Sequence, residues 1–326
     1  NQNMKFDSKV VKPAGYDRSC LKSGILHIGV GNFHRAHEEY YTDRLVAMDP
    51  SQAEWGICGA LLREADEPVY RALKAQSGLY TLTVCGRDGR DQAFCIGSLV
   101  DLLWAPESSE AILDMIASPQ IRIVSLTITE GGYNIDKATG EFDLSDPAVQ
   151  ADIAAPLRPA TAFGYLAEGL RRRRDRGAGP LTILSCDNLQ HNGCTASKAF
   201  MAFFSAQDPD LAGWAERNVT FPNSMVDRIT PATRPEDVER LDARNGSDDR
   251  APVYCEDFIQ WVVEDDFAAG RPCWEKVGVE FTDDVTAYEN MKLSLLNASH
   301  TLLSYPAFLG GYRKVDEAMR DGCIAG

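Results

Sequence analysis

Nowhere does the 326-residue sequence hold the roughly 18 consecutive apolar residues of a membrane-crossing helix, and Asn1 to Phe6 contain no apolar stretch like that of a secretion signal. The expectation is a cytoplasmic protein, neither membrane-bound nor exported. Basic residues are in deficit: 33 Lys and Arg face 48 Asp and Glu, and the net charge of −15 opposes binding to nucleic acid or an anionic membrane. CxxC spacing is missing too. The nine cysteines are scattered and odd in number, which argues against both a disulfide framework and a zinc ribbon and favours reduced thiols. Low complexity is confined to Arg171–Arg174, expected to be a solvated helix face.

What is present alternates. An apolar strand over residues 24–31 (GILHIGVG) runs into glycines and then a helix-like stretch from Phe33 to Met48. A second strand covers 55–62 and ends in Arg63, Glu64 and Asp66; a hairpin follows around 80–84 and 93–96, then a helix over 108–117. Two continuous apolar runs, 121–129 and 181–186, read as strands buried on both faces, ending in Glu130-Gly131-Gly132 and Asp187-Asn188. Helices are expected over 161–174 and 195–205, a further strand over 218–221, a long helix over 285–305 ended by Pro306, and another helix over 315–320. This alternation predicts an α/β fold with a mostly parallel sheet, whose ligand lies beyond the carboxyl ends of the strands. The domain reading is a dinucleotide-binding unit over 1–283 and, from 284 to 326, the start of a helical second domain whose remainder is absent.

Gly29-Val30-Gly31-Asn32-Phe33-His34 begins like a dinucleotide fingerprint but lacks its third glycine. Gly29 and Gly31 allow a tight turn and close approach of backbone N–H groups to a pyrophosphate, with Asn32 and Phe33 opening the helix behind them. Glu64 and Asp66 could accept from a ribose 2′-hydroxyl and repel a 2′-phosphate, which favours NAD; Arg63 beside them leaves NADP open. The Cys186, His191, Cys194 group has no compact ligand pair, so no metal is expected. Glu289, Lys292, Asn297 and His300 fall within about 140° of one helix face. A lysine half-buried there could serve as a base near neutral pH, or equally could be a salt-bridged surface residue paired with Glu289.

Together, HIGVGNFHRAH (27–37), SLTITEGGYNID (125–136), SCDNLQHNG (185–193), FPNSMVDRITP (221–231), WEKVGVEFTDDVTAYENMK (274–292) and KLSLLNASH (292–300) resemble the long-chain, metal-independent polyol dehydrogenases, the family that includes mannitol 2-dehydrogenase. The resemblance covers almost the whole chain. It implies an extended Rossmann-type N-terminal domain, a mainly helical C-terminal domain only partly present here, an active site between them, and a monomer. It also implies zinc-independent oxidoreduction of a polyol, D-mannitol to D-fructose at carbon 2 with NAD, or a neighbouring activity on sorbitol, arabinitol or a hexuronate. Residue by residue, the resemblance makes Lys292 the general acid/base. It sets Asn188 and Asn297 on the substrate oxygen, His300 as an orienting group, Glu289 beside a proton path, and Val226 and Asp227 against the nicotinamide ribose. Ala298 departs from a glycine common in the last motif. A dinucleotide-binding redox sensor without turnover is the rival from outside the enzyme class.

Overall fold

The computed structural model describes the backbone of residues 4–309 and the side chains of residues 4–298. Its largest sheet has six strands in the spatial order Leu99–Trp104, Gly56–Leu61, Ser23–Ile28, Ile123–Leu126, Leu181–Ser185, Val219–Thr220, every pair parallel. Ser23–Ile28 is the first of them in the chain and lies mid-sheet, so the strand order reverses beside it and opens a crevice at the carboxyl ends of Ser23–Ile28 and Ile123–Leu126. This is the Rossmann-like α/β arrangement that the alternating pattern predicts.

Along Ser23–Ile28, every residue is buried and side chains alternate between two cores. Leu26 and Ile28 pack with helices Ala105–Ile116, Ala162–Asp175 and Asn192–Gln207, whereas Ile25 packs with Leu45, Trp261 and Trp274 on the other face. Burial on both faces is what made these strands readable as uninterrupted apolar runs. Two smaller sheets flank the large one. Tyr80–Cys85 and Gln92–Ile96 form the expected hairpin, flanked by Val11–Lys12 and Val253–Glu256. Ser224–Asp227, Gln260–Glu264 and Glu280–Thr282 form the other.

Several expectations need correction. Beyond the strand expected over 218–221, Ser224–Asp227 forms a strand that was not anticipated, antiparallel to Gln260–Glu264; its four residues are too few to show a period. The helix expected over 33–48 is two helices, Asn32–Ala36 and Glu38–Met48, broken at His37, whose Nε2 bonds the Gln260 carbonyl at 2.8 Å. The late helix spans Thr286–Leu309 and passes through Pro306, which removes one intrahelical donor without ending the helix; the helix expected over 315–320 lies outside the described residues. Arg173 does not face solvent. It is 1% exposed, and its guanidinium donates to the carbonyls of Ile116, Ser118, Ile121, Gly179 and Pro180 at the ends of neighbouring elements. Helices Pro209–Asn218 and Pro235–Asn245 were not anticipated; the second is dominated by charged residues, and its Pro235 start is fixed by Arg234 and Asp237.

Behind the glycine turn, His27, His34, His37, Glu38 and Glu39 are each no more than 1% exposed. The His27 and His34 rings stack at 3.3 Å with 6° between planes, and Ser125 Oγ donates to Glu38 Oε2 at 2.9 Å while lying 2.6 Å from His27 Nδ1. Ligand atoms of His27, His34 and Glu38 lie within 4.8 Å of one another, but parallel stacking keeps the imidazole lone pairs side by side rather than converging on a common point. Burial depresses all three imidazoles, His37 to about 3, and raises Glu38 and Glu39 from 4.5 to about 8. Both kinds of group are therefore held neutral.

The linkage has a definite sign. Above pH 6.5 the histidines are neutral folded or unfolded, whereas both carboxyls are ionised only when unfolded until the pH approaches about 8. The folded state then holds more protons, so stability falls with rising pH over that window, by up to about 1.4 kcal/mol per pH unit per carboxyl. Urea unfolding between pH 6.5 and 8 should show this decline, and the Glu38→Gln/Glu39→Gln double variant should flatten it; an unchanged slope in the variant would place the titration elsewhere.

Candidate active site

Gly29 leaves the Ser23–Ile28 strand with φ of 95°, and a Cβ there would stand 2.1 Å from the Thr127 carbonyl oxygen. No residue but glycine fits. At Gly31 a Cβ would meet nothing within 4 Å, because that position faces a cavity of about 930 Å³. The space a side chain would fill is the space a pyrophosphate needs, so the residues present fit a dinucleotide.

The cavity runs from Leu62, Arg63 and Asp66 past the glycine turn and Thr127–Gly132 to Asn188, Val226 and Asp227. Asn32 lines it with its side chain tied on both atoms: Nδ2 donates to Thr233 Oγ1 at 3.0 Å and Oδ1 accepts from Arg35 at 2.8 Å. Phe33 also lines it, its ring stacked on His37 at 4.9 Å. With only five residues in Asn32–Ala36, backbone N–H groups rather than a long helix dipole would hold a phosphate. Asp66 is 8% exposed and accepts from the Arg63 backbone N–H at 3.1 Å and its guanidinium at 2.9 Å. Glu64 is exposed and off the cavity wall.

At the other end three elements converge on Lys292. Its Nζ donates to Asn188 Oδ1 at 2.8 Å and to the Val226 carbonyl at 2.7 Å. Asn188 follows the Leu181–Ser185 strand, Val226 belongs to Ser224–Asp227, and Lys292 sits near the start of Thr286–Leu309. Burial lowers the lysine's proton affinity; Asp227 and Glu289 partly counter it. The donor count is informative. A neutral amine has two N–H donors and one lone pair, and two acceptors occupy both donors, so the lone pair is left to take a proton. The Asn188 oxygen is likewise engaged, which leaves its N–H₂ to donate to a substrate oxygen.

The start of the late helix is fixed by Glu264, which accepts from Val285 N–H at 3.3 Å and from Asn223 N–H at 3.0 Å. Glu289, 5% exposed, accepts from His191 N–H at 2.8 Å. Asn297 lies exposed further along the same helix, and the side chain of His300 lies outside the described residues. Asp187 is the residue that the sequence reading passed over. Its carboxylate accepts from Ile128 N–H at 3.1 Å, Thr129 N–H at 2.9 Å and Tyr133 hydroxyl at 2.6 Å, holding Thr129 at φ of 67°. It thereby braces one cavity wall against the segment that carries Asn188. Its place between Cys186 and Asn188 in a strand-end motif was the available signal.

Fold and cavity define a Rossmann-type dinucleotide-binding protein with a lysine and an amide at one end of the cleft. The chain belongs to the mannitol dehydrogenase family: the mannitol dehydrogenase Rossmann domain matches residues 23–276, and the mannitol dehydrogenase C-terminal domain matches 284–325. It is 49% identical over 97% of its length to a polyol:NADP oxidoreductase of Gluconobacter oxydans, and 47% identical over 97% to a mannitol 2-dehydrogenase of Cereibacter sphaeroides. It spans 65% of the length of either relative. Among solved structures, the Pseudomonas fluorescens mannitol 2-dehydrogenase ternary complex with NAD and D-mannitol superposes with a TM-score of 0.89 at 48% identity, covering 97% of this chain and 64% of that one.

The two glycines make separable predictions. Gly31→Ala should leave the unfolding midpoint unchanged and weaken dinucleotide binding, by about ten-fold or more in a fluorescence titration, since the methyl occupies the phosphate's space. Gly29→Ala should destabilise the fold by several kcal/mol through its left-handed φ and the clash with Thr127. Equal destabilisation by both would sink the distinction.

Proposed function

We propose that the whole protein is an NAD-dependent oxidoreductase interconverting D-mannitol and D-fructose at carbon 2, with Lys292 as general acid/base. The observation carrying this reading is the lysine amine donating to both Asn188 and the Val226 carbonyl, with its proton affinity depressed by burial. Bound NAD supplies the hydride acceptor. Neutral Lys292 removes the hydroxyl proton. The Asn188 amide, joined by Asn297, donates to the oxygen as it gains alkoxide character, and preorganised donors at that point act where charge develops. His300 orients the polyol, Glu289 leads the proton away, and Val226 and Asp227 border the nicotinamide ribose. No metal is assigned a role.

The proposed division is a dinucleotide-binding domain over 1–283 and a helical domain beginning at 284. Exposed Met291, Leu293, Leu295 and Leu296 support it, since they leave apolar surface on the late helix for such a domain to cover. The protein is read as a cytoplasmic monomer. Free thiols at all eight cysteines among the described residues support the compartment, and no helix among those residues is long and apolar enough to cross a membrane. Hexuronate, sorbitol and arabinitol remain the rival substrates, and a redox sensor that binds NADH without turnover the rival class.

Two experiments on the full-length protein test this. Lys292→Ala should cut mannitol oxidation by about 100-fold or more while NADH affinity stays within about two-fold; equal loss of both would make the lysine structural. In the wild type, kcat/KM for oxidation should rise with pH to a plateau, through an apparent pKa below lysine's ordinary 10.5, because the neutral amine is the working form and burial lowers its proton affinity. A rate that falls as pH rises would overturn the assignment. For cofactor choice, Asp66→Asn should shift preference toward NADP, because it removes the charge that neutralises the Arg63 guanidinium beside the cavity; unchanged preference would move the ribose contact elsewhere.

A further inference from the structure

Asn188 and Val226, whose oxygens hold the Lys292 amine, belong to segments that do not pair with each other: Asn188 follows Leu181–Ser185 of the large parallel sheet, and Val226 lies in Ser224–Asp227 of a separate three-stranded sheet. No strand ladder sets their spacing. Asn192, wholly buried at the start of the Asn192–Gln207 helix, spans the gap. Its Nδ2 donates to the carbonyls of Ser185 and Asp187, each at 3.1 Å, and its Oδ1 accepts from Ser224 N–H at 2.8 Å. The Ser224 hydroxyl adds a direct link, donating to the Ser185 carbonyl at 2.8 Å. Both amide hydrogens and the amide oxygen are thus engaged between the two segments. One planar group touches the peptide that joins Asp187 to Asn188 and also the strand that reaches Val226 two residues later. Cys194 N–H, donating to Asn223 Oδ1 at 2.9 Å, ties the same helix start to the residue before Ser224.

The helix has other anchors, since Ala196, Ala199, Phe200, Phe203 and Phe204 are buried in the main core. A buried carboxamide costs hydration unless its bonds are made, and here all of them are spent on the two segments that meet at the amine. We propose that Asn192, with the Ser224 hydroxyl, is a positioning residue for Lys292: it sets the separation of the Asn188 oxygen from the Val226 carbonyl, and through them the place of the amine. The inference rests on Lys292 being the base. A base must lie within hydrogen-bond reach of the proton it takes, and a displacement of about 1 Å can cost about 100-fold in rate. Without the Asn192 amide the two acceptors are no longer held at one distance, and water reaches the amine. Its proton affinity then climbs back, because burial is what lowers it.

The test compares full-length Asn192→Ala and Ser224→Ala with Phe203→Leu, which trims the same helix within the apolar core. Each is assayed for NADH binding by fluorescence titration, for unfolding, and for mannitol oxidation across pH. Asn192→Ala should lower kcat about ten-fold or more, keep NADH affinity within about two-fold, and move the apparent pKa of kcat/KM upward, toward lysine's ordinary 10.5. Ser224→Ala should act in the same direction and more weakly, because the amide link remains. Phe203→Leu should lower the unfolding midpoint and keep the wild-type pH profile, which separates positioning from general loosening. A wild-type pH profile in Asn192→Ala, or NADH affinity lost in step with rate, would overturn the role. If Asn192→Ala does not fold, the same two outcomes in Ser224→Ala would overturn it. Mannitol oxidation left intact by Lys292→Ala would instead remove the base on which the role depends.

Discussion

The site depends on one contact made across three elements, the Lys292 amine held between the Asn188 side chain and the Val226 carbonyl. A charged ammonium loses hydration when buried, and a single neutral amide and a backbone carbonyl return only part of it. The imbalance lowers the lysine's proton affinity, which is what a base operating near neutral pH requires. The same two acceptors also fix the direction of the lone pair. Position and basicity thus have one cause. Asp227 and Glu289 limit the effect by favouring the charged form, which under the proposed mechanism keeps the amine able to return a proton in the reducing direction.

That contact requires a rigid frame, and the parallel sheet provides it. Asn188 emerges directly from a strand buried along its whole length, and Asp187 next to it is clamped by two backbone N–H groups and a tyrosine. Val226 is paired to Trp261, whose ring is packed against Trp274, and the Trp274 indole N–H reaches Thr42 at 3.1 Å. The glycine turn and the lysine end are thereby linked through the Glu38–Met48 helix, which carries both Thr42 and the buried Glu38 and Glu39.

Much of this was legible in the sequence because parallel strands buried on both faces are read as apolar runs, and because polar residues gather where those runs stop. Gly29, Gly31 and Asn188 were found in that way, whereas Lys292 came from its helix face and the family resemblance. What escaped reading had no periodic signature. Ser224–Asp227 is four residues long, and its pairing partner is more than thirty residues away. His37 breaks a helix because of a carbonyl at Gln260, a cause that no local pattern carries. Arg173 looked like one of four surface arginines, yet carbonyls from two stretches of chain, 116–121 and 179–180, enclose it. Asp66 was read as a free acid, whereas both its oxygens are taken by Arg63, so the sign of the charge offered at that end of the cavity belongs to the pair.

The late helix brings the two readings together. Val285, Glu289 and Lys292 meet the Rossmann-like body, while Met291, Leu293, Leu295 and Leu296, around and just beyond them, leave apolar surface exposed. Four exposed apolar residues beside one half-buried amine are not independent of it. Any apolar cover laid on that face withdraws water from the lysine as well, and moves its proton affinity further in the direction burial has already taken it. The chemistry of Lys292 is therefore set jointly by the sheet beneath it and by whatever packs above it.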